Sequence, residues 1–238
     1  MARYTLIVGT RNWSSWSLRP FLALSATGAP FDTVDIRLRK KDHPTSREQI
    51  LEYSPAGKVP VLKIEESASS SEAVGHQKSG KTLTVWDSLA ICETIAERHP
   101  EAGLWPADAN ARAIARSYSC EMHSGFPDLR DQLTMDFVRN KPMPELREDT
   151  QKQIARIIAA WEEALAAHKG DYLFGKFSVA DCMYAPVVSR FDTYGVTVPA
   201  SSRAYMDRII ALPGMEEWRK VSQGEVDAGL PSELPPVR

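Results

Sequence analysis

What this chain has little of narrows its chemistry before any motif is considered. Only three cysteines occur in 238 residues, Cys92, Cys120 and Cys182, far apart among apolar neighbours. That pattern describes buried, reduced thiols rather than a disulfide framework or a metal site. The five histidines, His43, His76, His99, His123 and His168, share no ligand spacing, so no metal is expected. Positive charge is not in excess: 29 Lys and Arg against 31 Asp and Glu leave a net −2. Neither nucleic acid nor a membrane surface is therefore expected as a partner. No apolar run approaches the ~18 residues needed to span a bilayer. The opening stretch around Leu6-Ile7-Val8 is too short for a signal peptide, and a cytoplasmic protein is expected. Internal repeats are lacking as well.

What is present falls into two unlike halves. Tyr4–Val8 reads as a strand, followed by the polar loop Gly9-Thr10-Arg11-Asn12-Trp13-Ser14-Ser15-Trp16-Ser17. Leu18–Thr27 carries apolar residues at helical spacing, and Gly28 with Pro30 stops it. A proline is harmless only where the helical N–H groups lack partners, so Pro20 places the N-cap near Trp16 or Ser17. Phe31–Ile36 reads as a second strand, giving a strand–helix–strand opening that predicts parallel pairing. One helical turn is expected around Ser46–Leu51, then strands at Val61–Ile64 and Thr82–Trp86. Between those strands Glu65–Lys81, rich in Ser, Gly and Glu, shows no periodicity and is expected to be disordered. Asp87–His99 is a helix capped by Asp87 or Ser88 and stopped by Pro100. The fold class is thus α/β followed by all-α: residues 1–100 form a βαβ-ββα domain and residues 108–238 an all-helical one. In the second half, Asn110–Asn140 is helical with a break at Gly125-Phe126-Pro127, and Glu145–His168 is amphipathic. Ser178-Val179-Ala180-Asp181 makes a capping box ahead of an apolar run to Tyr194. Short helices are expected at Ser201–Leu212 and Met215–Val221, with a loose tail after Ser222.

One stretch organises the first half: Ser54-Pro55-Ala56-Gly57-Lys58-Val59-Pro60-Val61-Leu62. Pro60 fits the first position of a strand, where a missing N–H does no harm. Val59, pushed extended by that proline, presents its own N–H and C=O at the mouth of a sheet. An extended peptide can pair there by adding a strand. Spacing alone leaves the Val59–Pro60 bond cis or trans.

Three motifs together resemble the glutathione transferase family and cover nearly the whole chain. Gly57-Lys58-Val59-Pro60-Val61-Leu62 is similar to the family's cis-proline loop. Asp87-Ser88-Leu89-Ala90-Ile91 is similar to its acidic-Ser-x-Ala-Ile element. Tyr172-Leu173-Phe174-Gly175 with the Ser178–Asp181 box is similar to the start of a core helix in its second domain. The resemblance implies a thioredoxin-like first domain that binds glutathione as co-substrate, a helical second domain that holds a small hydrophobic electrophile, and a homodimer. It implies that Val59, beside Pro60, pairs with the cysteinyl backbone. Ser88 and its helix end would then take the γ-glutamyl carboxylate, Asp87 the α-ammonium and Lys58 the glycyl carboxylate. Ser15-Trp16-Ser17-Leu18-Arg19 matches the serine-type Ser-x-x-x-Arg pattern, so Ser15 is the expected thiol donor, with Ser14 and then Asn12 behind it and Ser17 a cap. Trp13, Trp105, Met122, Phe126 and Phe137 are candidates for the hydrophobic pocket, although for any single one an ordinary core or surface residue is the better reading.

The implied activity is transfer of glutathione to an electrophile in detoxification. Glutathione-dependent isomerisation, peroxide reduction and a non-catalytic scaffold are the alternatives. The loop departs from the isomerase-type Ser-Ser-Cys-x-x-x-Val-Arg, because Trp16 follows Ser14-Ser15. No cysteine precedes Cys92, which excludes thiol–disulfide exchange at this loop, since that chemistry needs an attacking thiolate.

Overall fold

A computed structural model describes residues 2–38, 46–66 and 82–231. Strands β1 (Arg3–Gly9), β2 (Phe31–Ile36), β3 (Val61–Glu65) and β4 (Thr82–Val85) form one mixed sheet in the order β2-β1-β3-β4. β1 runs parallel to β2 with Leu6 opposite Thr33, and antiparallel to β3 with Leu6 opposite Leu62. Alternation along β1 sends Leu6 and Val8 to one face of the sheet and Ile7 to the other. The first face packs under α1 (Ser15–Thr27) and α3 (Ser88–Arg98). On the second, Ile7, Ile36 of β2 and Val61 of β3 are covered by Ile50 of the short α2 (Ser46–Leu51). This is the expected thioredoxin-like layer, and the parallel β1–β2 pair follows from the crossover through α1.

Helices α4 (Ala109–Ser124), α5 (Pro127–Gln132), α6 (Glu148–Ala167), α7 (Val179–Thr193), α8 (Ala200–Ile210) and α9 (Pro213–Asp227) make up the rest. α7 is apolar on nearly every side and lies at the centre, each residue from Val179 to Phe191 being buried. It packs on α1, so one core runs continuously from the sheet into the helices. Among the described residues no helix is long and apolar enough to cross a membrane.

Several boundaries differ from expectation for physical reasons. α1 begins at Ser15 with Ser14 as N-cap, upstream of the expected cap at Trp16 or Ser17. Pro20 therefore sits inside the helix, where it cannot donate to the Trp16 carbonyl. The chain leaves helix after Gln132 rather than continuing to Asn140, because Phe137 N and Val138 N donate to Asn12 instead of to their own turn. α9 continues past Val221 to Asp227, so the first part of the tail expected to be loose after Ser222 is helical, while residues 232–238 lie outside the described residues. Its Glu225 carboxylate accepts from Arg11 N and Asn12 N, both at 2.8 Å. The expected break at Gly125-Phe126-Pro127 is present, with Phe126 buried at φ 60° and ψ 47°. Most of Glu65–Lys81, where disorder was expected, lies outside the described residues; Glu66 is inside them and pairs with Arg98 at 2.7 Å.

Candidate active site

A cleft of about 730 Å³ opens where the sheet's β3 end meets α1, α3 and the last turn of α4. One rim is the loop before β3. Gly57 turns it in a left-handed conformation, φ 59°, and a Cβ there would come within 3.0 Å of an Arg47 guanidinium nitrogen. Val59 follows, joined to Pro60 by a cis bond. Its N–H and C=O pair with no other described group. Arg47 and Lys58, both exposed, put two positive charges on this rim.

The facing wall is the start of α3, which follows a cis Trp86–Asp87 bond. Asp87 caps the helix, its Oδ1 accepting from Leu89 N at 3.1 Å. Its Oδ2 meets His123 Nε2, from α4, at 2.6 Å. Ser88 is fully buried in this wall, and its hydroxyl has no hydrogen-bond partner among the described residues. A buried hydroxyl left unpaired is costly, about 1–3 kcal/mol, so a native one needs an explanation. The first N–H groups of α3 add an anion-seeking end beside it.

Trp16 closes the third side. The Arg19 and Arg130 guanidinium carbons lie 4.3 Å and 5.0 Å from its ring centre, and the His123 ring meets it edge-on at 5.2 Å. Arg19 is fully buried, and all three of its guanidinium nitrogens lack hydrogen-bond partners among the described residues. Burial pushes this group down to about 9, and repulsion from Arg130 and Arg190 acts the same way. Burial likewise lowers Arg190 to about 9 and lowers Arg130. Arg19 and Arg130 thus lie against Trp16, with Arg190 a third guanidinium close enough to Arg19 to repel it.

The serines at the start of α1 divide their roles. Ser14 Oγ donates to Ser17 Oγ at 2.7 Å and accepts from Ser17 N, so its proton is spent on the cap. Ser17 Oγ accepts from Gly9 N. Asn12 is committed at both ends, its amide donating to Asp136 and its oxygen accepting from Val138 N. Ser15 Oγ accepts from Arg190 at 3.4 Å, and no acceptor for its own proton occurs among the described residues. Ser14 and Ser15 are buried and are not among the residues that line the cleft, whereas Trp16 is.

Lys58, Val59, Pro60, Asp87 and Ser88 thus come together in one cleft. The candidates for a hydrophobic pocket do not join them. Met122, Phe126 and Phe137 are packed in the core, and Trp13 is buried. Trp105 packs against the core and donates to Glu93. Their spacing in sequence marks apolar residues without saying which surface they face. Arg47, Trp86 and His123 line the cleft without having been singled out. Nothing local marks His123, because its partner lies 36 residues away. No group of three or more His, Cys, Asp or Glu among the described residues is placed to hold a metal.

Comparison with known proteins gives this geometry a context. Residues 13–98 match the family model for the glutathione S-transferase N-terminal domain, and residues 144–220 match that for the C-terminal domain. A maleylacetoacetate isomerase from Rattus norvegicus is 30% identical over 92% of this chain and 94% of its own length. A maleylacetoacetate isomerase from Anaeromyxobacter dehalogenans 2CP-1, solved with dicarboxyethyl glutathione and citrate in its active site, is 26% identical with a TM-score of 0.62, covering 91% of this chain and 94% of that one. A Burkholderia glutathione transferase homologue with bound glutathione shares the fold at 22% identity and a TM-score of 0.64, covering 93% of this chain and 98% of that one.

Proposed function

This chain belongs to the glutathione S-transferase family, and on that footing we propose that it is an enzyme that binds glutathione as its thiolate and adds the sulfur to a small electrophile. The observation that carries this reading is the buried, unpartnered Ser88 hydroxyl in the same cleft as the unpaired Val59 backbone. An extended anionic peptide satisfies both. Its cysteinyl backbone adds to Val59 as a short strand, its γ-glutamyl carboxylate accepts from Ser88 and the α3 end, and its α-ammonium meets Asp87. Arg47 and Lys58 sit on the rim its glycyl carboxylate reaches.

Ser15 is the donor we assign to the sulfur. A free thiol titrates near ~8.5, and lowering that by about two units takes roughly 2.7 kcal/mol of preference for the anion. One hydroxyl donating to a charged partner supplies ~1.5–3 kcal/mol, and the N-terminus of α1 adds ~0.3–1. The Arg190 guanidinium donating to Ser15 Oγ polarises the hydroxyl and strengthens its own donation. The thiolate then attacks the electrophile with no covalent enzyme intermediate, by positioning and charge stabilisation. A homodimer belongs to the same reading, and sedimentation tests it.

A second reading, isomerisation, is favoured by relatives named maleylacetoacetate isomerase. There the thiolate adds to a conjugated cis double bond, the resulting single bond rotates, and the thiolate leaves again. Against it stands Trp16, where the isomerase-type loop has cysteine. Calorimetric titration with glutathione, followed by assays on an aryl halide, a carboxylated cis-enone and an organic hydroperoxide, separates these activities. Absence of binding up to the millimolar range rejects both readings.

A further inference from the structure

The pair between Asp87 and His123 joins α3 to α4 at the cleft wall, and it bears on the carboxylate assigned to the ligand's ammonium. A carboxylate offers about four lone-pair sites. In Asp87 one is taken by Leu89 N at 3.1 Å and one by His123 Nε2 at 2.6 Å. The side chain is still 51% exposed, so the remaining sites face the opening. Without His123 this side chain would keep only the cap bond to Leu89.

His123 is itself held on two sides. Its ring meets Trp16 edge-on, and Trp16 is fixed by the Arg19 and Arg130 guanidinium groups near its ring. Arg130 also donates to Gly125 O at 3.0 Å and to Met122 O, clamping the end of α4 on both sides of His123. The buried Ser88 hydroxyl, unpartnered in the same wall, independently points to a ligand at this spot.

We propose that His123 is a positioning residue that aims the Asp87 carboxylate at a free ammonium group. It thereby makes the cleft select γ-glutamyl thiol peptides with a free α-amino group over their N-acylated forms. The proposal rests on the placement of the ammonium at Asp87.

Calorimetric titration of wild type, H123F and H123Q with glutathione and with N-acetylglutathione tests it. Wild type is expected to prefer glutathione by about tenfold or more, on the scale of one charge-assisted hydrogen bond. In H123F that preference should fall to about twofold through weaker glutathione binding alone, with N-acetylglutathione unchanged. H123Q, whose amide nitrogen can reach Asp87, should restore most of it. Turnover of H123F should show a raised KM for glutathione and a kcat close to wild type. An unchanged preference in H123F, an equal loss for both peptides, or tighter glutathione binding overturns the proposal. If H123F does not fold, H123L serves the same comparison. A wild type that binds glutathione and N-acetylglutathione equally shows that the ammonium is not at Asp87. A wild type that binds neither shows that the site reading itself fails, a result distinct from failure of the His123 assignment.

Discussion

Two helices in this chain begin with an aspartate and a serine, and they use them in opposite ways. At the start of α7 the Asp181 carboxylate accepts from Ser178 N at 2.8 Å, Ser178 Oγ at 2.9 Å and Leu173 N at 3.2 Å. Both residues are buried, and the set satisfies itself. At the start of α3 the Asp87 carboxylate is half in solvent and held partly by a residue from α4, while the Ser88 hydroxyl has no partner. Similar residue types at similar helix starts thus serve two purposes. A closed polar set specifies the fold, and the proposed function gives the open one to a ligand.

The comparison breaks most readily at α7. Asp181→Ala strands two buried backbone donors and a hydroxyl, each worth ~1–3 kcal/mol, so we expect at least about 3 kcal/mol of lost stability by denaturant titration. A loss below about 1 kcal/mol would mean the box is incidental. Next in size is Ser15→Ala, which should lower turnover by about 10–100-fold at neutral pH, on the scale of ~1.4 kcal/mol per decade. Glutathione should still bind. Following the ultraviolet absorbance of the bound thiolate against pH is the check, and titration at the same pH in both proteins would move the donor elsewhere. The smallest effect is expected at Lys58→Ala. An exposed charge pair is worth ~0.2–1 kcal/mol, so glutathione affinity should fall by less than about fivefold, and the difference should vanish in high salt. A large, salt-independent loss would show that Lys58 is desolvated in the complex.

Legibility in the sequence followed the range of the interactions. The Gly57–Pro60 loop and the Ser178–Asp181 box could be read because proline, glycine and capping chemistry act within a few residues. The α1 start was misplaced because Ser14, Ser15 and Ser17 are all credible caps, and Pro20 is tolerated inside the helix once packing pins it. The continuation of α9 was hidden because Glu225 finds its partners, Arg11 N and Asn12 N, more than 200 residues away. The same holds within the cleft. Val59, Asp87 and Ser88 carry local signatures, whereas Arg47, Trp16 and His123 are brought in by tertiary packing. Met122 and Phe126 lie in the core, the commoner place for an apolar residue, and spacing alone does not tell an inward face from a cleft.

The most direct measurement of the central claim is Ser88→Ala, read for stability without ligand and for glutathione affinity. Removing a hydroxyl that is buried and unpartnered costs the empty protein nothing, so its melting temperature should be unchanged or higher. Removing a donor to a bound carboxylate should weaken glutathione by about 1–3 kcal/mol, some five- to 150-fold. Loss of stability with affinity intact would make the α3 start a structural cap like that of α7, and would contradict the account.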